Sequence, residues 1–507
     1  MTPDRSPRWP WGATAEAAIL TVVALLVVIA IRHSGPCLPD EVDYWQLGAS
    51  LASGKGFETR MIRPLELRLH PTSLFTDVTR PPLMPALVAL QRVVTHGAWL
   101  DWNPIGTLAL ALLALVQWSL ARYLAGPWAG RVAWAMTMGN PHLLAYGSLL
   151  LSEMPFCLFT LLAVRAASGQ RSSLSAAASG LWLACALLTR AVGMLYLPVV
   201  AGAFLVNKVR VRPWITGIAA VVATLGLWLW WCWRTTGLPF LGLNSHQLPA
   251  FTATWPGYSL FRTLHLVDPV RFALTHPGDL VAKWTQGVVL GGRSLVGHAG
   301  PGAAVAFLST PLWVRSARIR RLWCISLAVT AAFLLALPFY EPRTRHYIPL
   351  LAWMIPVVAA TCAELIASGR ARRIVGVAIL VLTAWAAWHD RNVFAALQPI
   401  AWDPAAAATL NSLPDSTIIA TDAPWVVTIA SRHRSLWIPQ DTATWDACRQ
   451  MLPHLRAVYL TRGLLSWSSD QRPGLWTRAY AGGELEGFPR ALTFADGSRL
   501  WVQADRE

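Results

Sequence analysis

Apolar runs of near-membrane length, separated by short polar segments, fill the first 388 residues of the chain. They fall at 12–31, 104–121, 132–149, 154–168, 174–188, 191–206, 214–233, 302–314, 322–338, 346–366 and 374–388. A helix that crosses a bilayer needs ~20 mostly apolar residues. The pattern therefore predicts about eleven transmembrane helices, within a range of about 10 to 13 because several runs are short. The first run has no small-residue cleavage site after it and leads straight into an acidic segment, so it reads as a retained span. After residue 388 the texture changes. Short β-branched runs at 417–421, 434–438 and 456–460 alternate with segments of helical character at 404–412, 424–431 and 441–452. The expectation is a mostly α, polytopic membrane domain over 1–388 and a small C-terminal α/β domain over 389–507.

Composition agrees with a membrane chain. Of 507 residues, 55% are hydrophobic and 13% charged, about half the ~25% charge of an average soluble domain. The net charge is +16, with 31 basic against 14 acidic residues before 389 and 11 against 12 after. The basic residues stand singly or in short groups between apolar runs, as topology determinants do, which excludes nucleic acid as the partner. Arg5 and Arg8, Arg122 and Arg131, Arg165 and Arg171, Lys208 to Arg212, Arg315 to Arg321 and Arg370 to Arg373 occupy alternate loops. The positive-inside bias then predicts a cytoplasmic N-terminus and places 32–103, 234–301 and everything after 388 outside the cell. The segment PPLMPALVALQRVVTHG at 81–97 carries three prolines, Arg92 and His96 and is expected to lie along the outer surface. The seven cysteines show no CxxC or Cys/His spacing, so neither a metal site nor a disulfide framework is expected.

Just after the first run the chain reads CLPDEVDYWQLGASLASGKGF, with Asp40, Glu41 and Asp43 close together. A solvated helix start is the alternative account of such acids, since carboxylates near a helix N-terminus are stabilised by its dipole. Two further features share the predicted outer face. Glu153, in LLLSEMPF, sits in a loop too short for full solvation, and charged groups at membrane depth usually mark function. Arg190, in LLTRAVG, and the pair Arg343 and Arg345, in FYEPRTRHYIPLL, occupy short outer loops where topology does not call for basic residues. Acids and arginines gathered at a membrane surface suit transfer of a sugar from a lipid phosphate: a carboxylate takes the acceptor proton and cations stabilise the departing phosphate. His246, His265, His276 and His298 are scattered without ligand spacing. Trp255 and Trp284 are candidates to stack on a saccharide, and Arg293 is a candidate phosphate contact, although interfacial packing and a plain turn account for them as well.

The order DExxYxxxAxxLASGxGF, RPPLMPAL, LSEMPF, TRAVGMLYLP and RTRHYIPLL over residues 12–366 resembles the integral-membrane GT-C glycosyltransferases. The resemblance is to the branch of the protein O-mannosyltransferases and the lipid A aminoarabinose transferases. It implies that Asp40 is the catalytic acid of the first outer loop, followed by Glu41 and Tyr44, and that Arg80 with Pro81 and Pro82 forms the element after it. It implies a second outer-loop acid at Glu153, with Pro155, where the family more often has Asp. It implies a phosphate-binding role for Arg345 in an Arg-Tyr-x-x-Pro element with Tyr347 and Pro349, here with His346 inserted. The implied reaction uses a polyprenyl-phosphate sugar donor and a glycan, lipid or protein acceptor. It needs no cofactor; Mg²⁺ enters only for a pyrophosphate donor. Two other classes compete: a transporter or flippase of lipid-linked saccharides, which calls for ionisable residues at the midplane, and a non-catalytic membrane assembly protein, whose outer acids need not converge.

Overall fold

The computed structural model describes residues 11–31, 35–69, 76–77, 79–96, 103–169, 173–206, 211–237, 246–255, 257–340, 343–467 and 474–503. Arg5, Arg8, Arg171, Lys208 and Arg210 lie outside them. The chain is a multi-pass, mostly helical membrane protein. Among the described residues, five helices are long and apolar enough to cross a bilayer: Pro104–Ala125, Ile215–Thr235, Ala317–Tyr340, Thr344–Ala367 and Arg370–Val393. A sixth candidate is Pro141–Ser148 with Glu153–Ala167, bent by 112° at the break between them. Shorter apolar helices occur at Thr14–Ala30, Ser173–Thr189 and Ala191–Gly202. The span Thr344–Ala367 runs through the centre of the bundle, with Leu350 to Ala360 buried throughout. Ile215–Thr235 and Arg370–Val393 instead present uncovered apolar side chains such as Leu227 and Trp388, the face a lipid would cover.

Among the described residues between the first apolar helix, α1 (Trp11–Ala30), and Pro104–Ala125 are three short helices: α2 (Pro39–Ala52), α3 (Pro64–Leu69) and α4 (Leu83–Val94). The last is the helix expected along the surface, begun by Pro82 and carrying Leu90, Val93 and Val94 exposed on one side. Its other side packs on α2 at very short range. A Cβ added to Gly48 would stand 2.5 Å from Val88 Cγ1 and 3.1 Å from the Ala89 amide. Only glycine allows this approach, which sets α2 and its acids beside the chain that leads into α4.

The strands and helices after residue 403 fall close to the predicted segments. Strands β2 (Ile418–Thr421), β3 (Arg434–Trp437) and β4 (Leu455–Leu460) are parallel, and β6 (Arg499–Val502) and β5 (Arg490–Thr493) continue antiparallel. Alternate residues face opposite cores: Ile418 and Ala420 pack with Leu436, Trp445 and Trp476, while Ile419 packs with Leu410, Val427 and Tyr459. The sheet also takes a strand from far upstream. β1 (Met61–Ile62) pairs in parallel with β3, giving the order β1-β3-β2-β4-β6-β5. A hydrogen-bonded sheet cannot be divided by a bilayer, so the segment around 61 and the tail lie on the same side of the membrane.

Candidate active site

The helix that carries the acids starts where the sequence says it should. Pro39 occupies the first turn, and Glu41 reaches back to accept hydrogen bonds from the Cys37 and Leu38 amides at 2.8 and 3.0 Å, closing the N-terminus. The other Glu41 oxygen accepts the Leu150 amide at 2.8 Å. Leu149 to Leu151 form the break between Pro141–Ser148 and the helix that begins at Glu153. That restart carries three ordinary helix-start signals in one stretch: Ser152, then an acid, then Pro155 in the first turn. Glu41 therefore ties the break to α2. It is 3% exposed, and burial pushes its carboxyl up to about 7 despite the three amide donors. It is not among the residues lining the cavity described next.

That cavity has a volume of about 750 Å³ and is lined by Asp40, Asp43, Tyr44, Arg80, Glu153, Arg190, Arg343 and Arg345, among others. Asp40 is held between two arginines: Arg345 Nη1 lies 2.6 Å from its Oδ2, and Arg80 Nη2 donates to its Oδ1. Burial raises the Asp40 carboxyl, but the Arg80 and Arg345 guanidiniums outweigh it and hold the group well below the usual carboxylate range. Arg80 also donates to Asp43 Oδ2, at 3.1 Å from Nε and 2.8 Å from Nη2. Its guanidinium stands 5.4 Å from the Tyr44 ring centroid. Tyr44 is buried and donates its hydroxyl to Ser152 at 3.1 Å, which links this group to the second acid.

Glu153 is 1% exposed and pairs with Arg190, Nη1 to Oε1 at 2.6 Å, while the same nitrogen donates to Ser152 Oγ at 3.1 Å. Arg190 can reach because Ser173–Thr189 ends at Thr189 and the chain turns through an extended residue before the short helix Ala191–Tyr196. Glu153 Oε2, Asp43 Oδ1 and Arg345 Nε are buried and have no partner among the described residues. Buried polar atoms without a partner are uncommon, and three of them gather around this group.

Asp40, Tyr44, Arg80, Glu153, Arg190, Arg343 and Arg345 thus meet at one cavity. Tyr347 does not: it is fully buried, and its hydroxyl donates to the Gly287 carbonyl at 3.4 Å. Trp255, Trp284 and Arg293 also lie outside the lining. Trp284 donates to the Leu335 carbonyl at 2.9 Å, and Arg293 is exposed on Pro277–Ala299. Four functional-site neighbours were not singled out by the sequence: Arg63, Ser152, Trp425 and Trp437. Ser152 was detectable as the residue before Glu153. Arg63 and the tail tryptophans carried no local signal.

No group of three or more His, Cys, Asp or Glu among the described residues is arranged to hold a metal ion. No family model and no curated protein sequence matches the chain. Solved structures do. ArnT from Cupriavidus metallidurans bound to undecaprenyl phosphate aligns at 12% identity and a TM-score of 0.59, covering 98% of each chain. The Archaeoglobus fulgidus oligosaccharyltransferase in complex with Zn and sulfate aligns at 12% identity and 0.54, covering 91% of this chain and 69% of that one. The arabinofuranosyltransferase AftD from Mycobacteria aligns at 14% and 0.50, covering 96% and 41%. The likeness extends over nearly the whole chain, from the first apolar helix to the last strand, and the chain has the fold of the GT-C integral-membrane glycosyltransferases.

Proposed function

We propose that the protein is a glycosyltransferase that moves a sugar from a polyprenyl-phosphate donor to a hydroxyl acceptor at the outer face of the membrane, with inversion at the anomeric carbon. One observation carries this reading: a single carboxylate, Asp40, lies between two arginines in a cavity that opens between the ends of apolar helices. Val192, Met194, Leu195, Ala336 and Leu337 line its apolar part, where a lipid chain is compatible. ArnT was crystallised with undecaprenyl phosphate, a ligand of the proposed class.

The chemistry follows from charge. A phosphate entering the cavity competes with Asp40 for Arg80 and Arg345, because guanidinium binds carboxylate and phosphate through the same forked geometry. Donor binding then releases Asp40 from the cations that hold its pKa down and makes it a stronger base. As the acceptor oxygen bonds to the anomeric carbon, Asp40 takes the hydroxyl proton. The bond from that carbon to the phosphate oxygen breaks, and the electron pair leaves with the phosphate, where the arginines stabilise it. Glu153, held by Arg190 through Oε1, lines the same cavity as a second carboxylate beside the substrate. The cavity carboxylates are paired with arginines, so the positive charge at the leaving group comes from guanidinium, and the proposed mechanism uses no metal.

Incubating the purified protein with polyprenyl-phosphate sugars and hydroxyl-bearing acceptors, with products read by mass, tests the proposal. Products heavier by one glycosyl unit, with release of polyprenyl phosphate, are expected. Movement of intact donor across a vesicle without bond cleavage would replace the reading with a flippase.

A further inference from the structure

The Asp40 group of the cavity is carried by the helices, but another part of its lining comes from the tail. Trp425, Trp437 and Trp467 line the cavity together with Phe261 of the preceding segment. The rings make a corner. Phe261 and Trp437 are parallel, with 4° between their planes and 6.3 Å between centroids. Trp425 stands at 88° to Trp437, 6.1 Å away. All three are only half-buried, although such rings are normally covered in a finished core. Phe251 lines the same cavity, is 42% exposed and has a φ of 62°. A bulky side chain rarely adopts that left-handed backbone, and strain of this kind gathers at ligand clamps.

We infer that this aromatic corner is the acceptor subsite and that it takes a saccharide, so the hydroxyl that is glycosylated belongs to a sugar ring. The inference rests on the transferase reading above and supplies its acceptor class. A pyranose presents one face of C–H bonds, which stacks on the electron-rich face of an aromatic ring, and a rim of hydroxyls, which needs polar partners. The corner offers a floor and a perpendicular wall for the ring, and Gln247 and Ser259 line the cavity next to it. The corner and the Asp40 group line one cavity, so a sugar held at the corner shares the space in which the transfer takes place.

A peptide acceptor fits less well. The natural way for an extended peptide to bind here is to add a strand beside β1, the edge of the sheet. In a parallel pair, alternate residues turn their backbone groups to the partner; Arg60 and Ile62 turn theirs toward β3, leaving those of Met61 on the open edge. Thr59 covers that edge: its hydroxyl accepts the Met61 amide at 3.1 Å and donates to the Met61 carbonyl at 3.3 Å.

The test uses the full-length protein in nanodiscs, with saturation-transfer NMR on methyl glycosides of glucose, galactose and mannose, and a separate titration with undecaprenyl phosphate. At least one glycoside should receive saturation on the C–H protons of one ring face. Trp437→Ala and Trp425→Ala should each weaken that binding about tenfold, Trp437→Phe should retain most of it, and all three should bind undecaprenyl phosphate like the parent. No glycoside binding in a parent that binds undecaprenyl phosphate, binding unmoved by both alanine variants, or displacement of the glycoside by a serine-containing peptide would overturn the inference. Glycoside binding in a protein that fails to bind undecaprenyl phosphate would support the subsite and sink the donor reading.

Discussion

Two clusters of the same residue types lie side by side around α2 and α3, and they are built in opposite ways. Around Arg63 three carboxylates close on one cation: Asp43 Oδ2 at 2.7 Å from Nη2, Glu66 Oε1 at 2.7 Å and Asp77 Oδ2 at 3.1 Å from Nη1. The four side chains are at most 6% exposed. Around Asp40 two cations close on one carboxylate, with side chains 18 to 24% exposed toward the cavity. The first cluster has more anion than it can neutralise, and burial pushes Glu66 up to about 8. The second faces the cavity, where an arriving anion can compete with Asp40 for Arg80 and Arg345. A buried network fixes geometry, whereas guanidiniums at an accessible site can exchange one anionic partner for another. Asp43 belongs to both, since it accepts from Arg63 and Arg80, so the scaffold aims the functional arginine.

Asp40→Asn breaks the accessible cluster at its centre. A positioned base contributes ~10²- to 10⁴-fold, so kcat and kcat/KM should fall together by that factor while undecaprenyl phosphate still binds. Steady-state kinetics on protein shown to be folded decide it, and turnover within a few-fold of the parent would return Asp40 to a solvated helix start.

Breaking the other cluster should act on folding instead. Arg63→Ala leaves buried carboxylates uncompensated, a loss of about 3–5 kcal/mol, visible as reduced yield of monodisperse protein and a lowered melting temperature. If it melts like the parent and loses only turnover, the division between scaffold and site is wrong.

Arg345→Ala sharpens the comparison from the cation side. A charge-assisted hydrogen bond contributes about 1.5–3 kcal/mol, so undecaprenyl phosphate should bind about ten- to hundredfold more weakly. Unlike Asp40→Asn, this variant should raise the dissociation constant as well as slow turnover. Equal phosphate affinity in parent and variant would remove Arg345 from the leaving-group site.

The smallest effect concerns the stability of the cap. Glu41 has a folded pKa of about 7, against an ordinary value of 4.5. The folded state therefore holds a proton that the unfolded chain releases between these values, and this group's contribution to stability falls as pH rises from about 4.5 to about 7. Glu41→Gln should flatten part of the decline in melting temperature over that window. An unchanged slope would show that Glu41 stays ionised.

Much of the site was legible because topology makes some residues conspicuous. Arg190 and Arg345 stood out as basic residues in short loops on the face that should lack them, and Glu153 as an acid with too little loop to solvate it. Assigning Glu41 and Asp40 the same role failed to separate them. Adjacent residues on a helix point about 100° apart, and which one faces the cavity depends on what packs against α2. Tyr347 fails for a similar reason: Gly291 leaves room for its ring, with a Cβ there only 2.6 Å from Tyr347 Cζ, and the side chain turns into the bundle.

The sequence by itself determined the apolar helices, the change to strands after 388 and which arginines stand in short loops between apolar runs. Each rests on local periodicity or on the free energy of placing charge near a bilayer. Tertiary structure alone decided which arginines share Asp40, that Glu41 caps while Asp40 faces the cavity, and that Met61–Ile62 joins the tail sheet. It also decided that Trp425 and Trp437, and not Trp255 and Trp284, line the cavity. Residue 61 meets 435, and 40 meets 345. Pairings across such separations arise when helices and sheet pack together, and no window along the chain contains both partners.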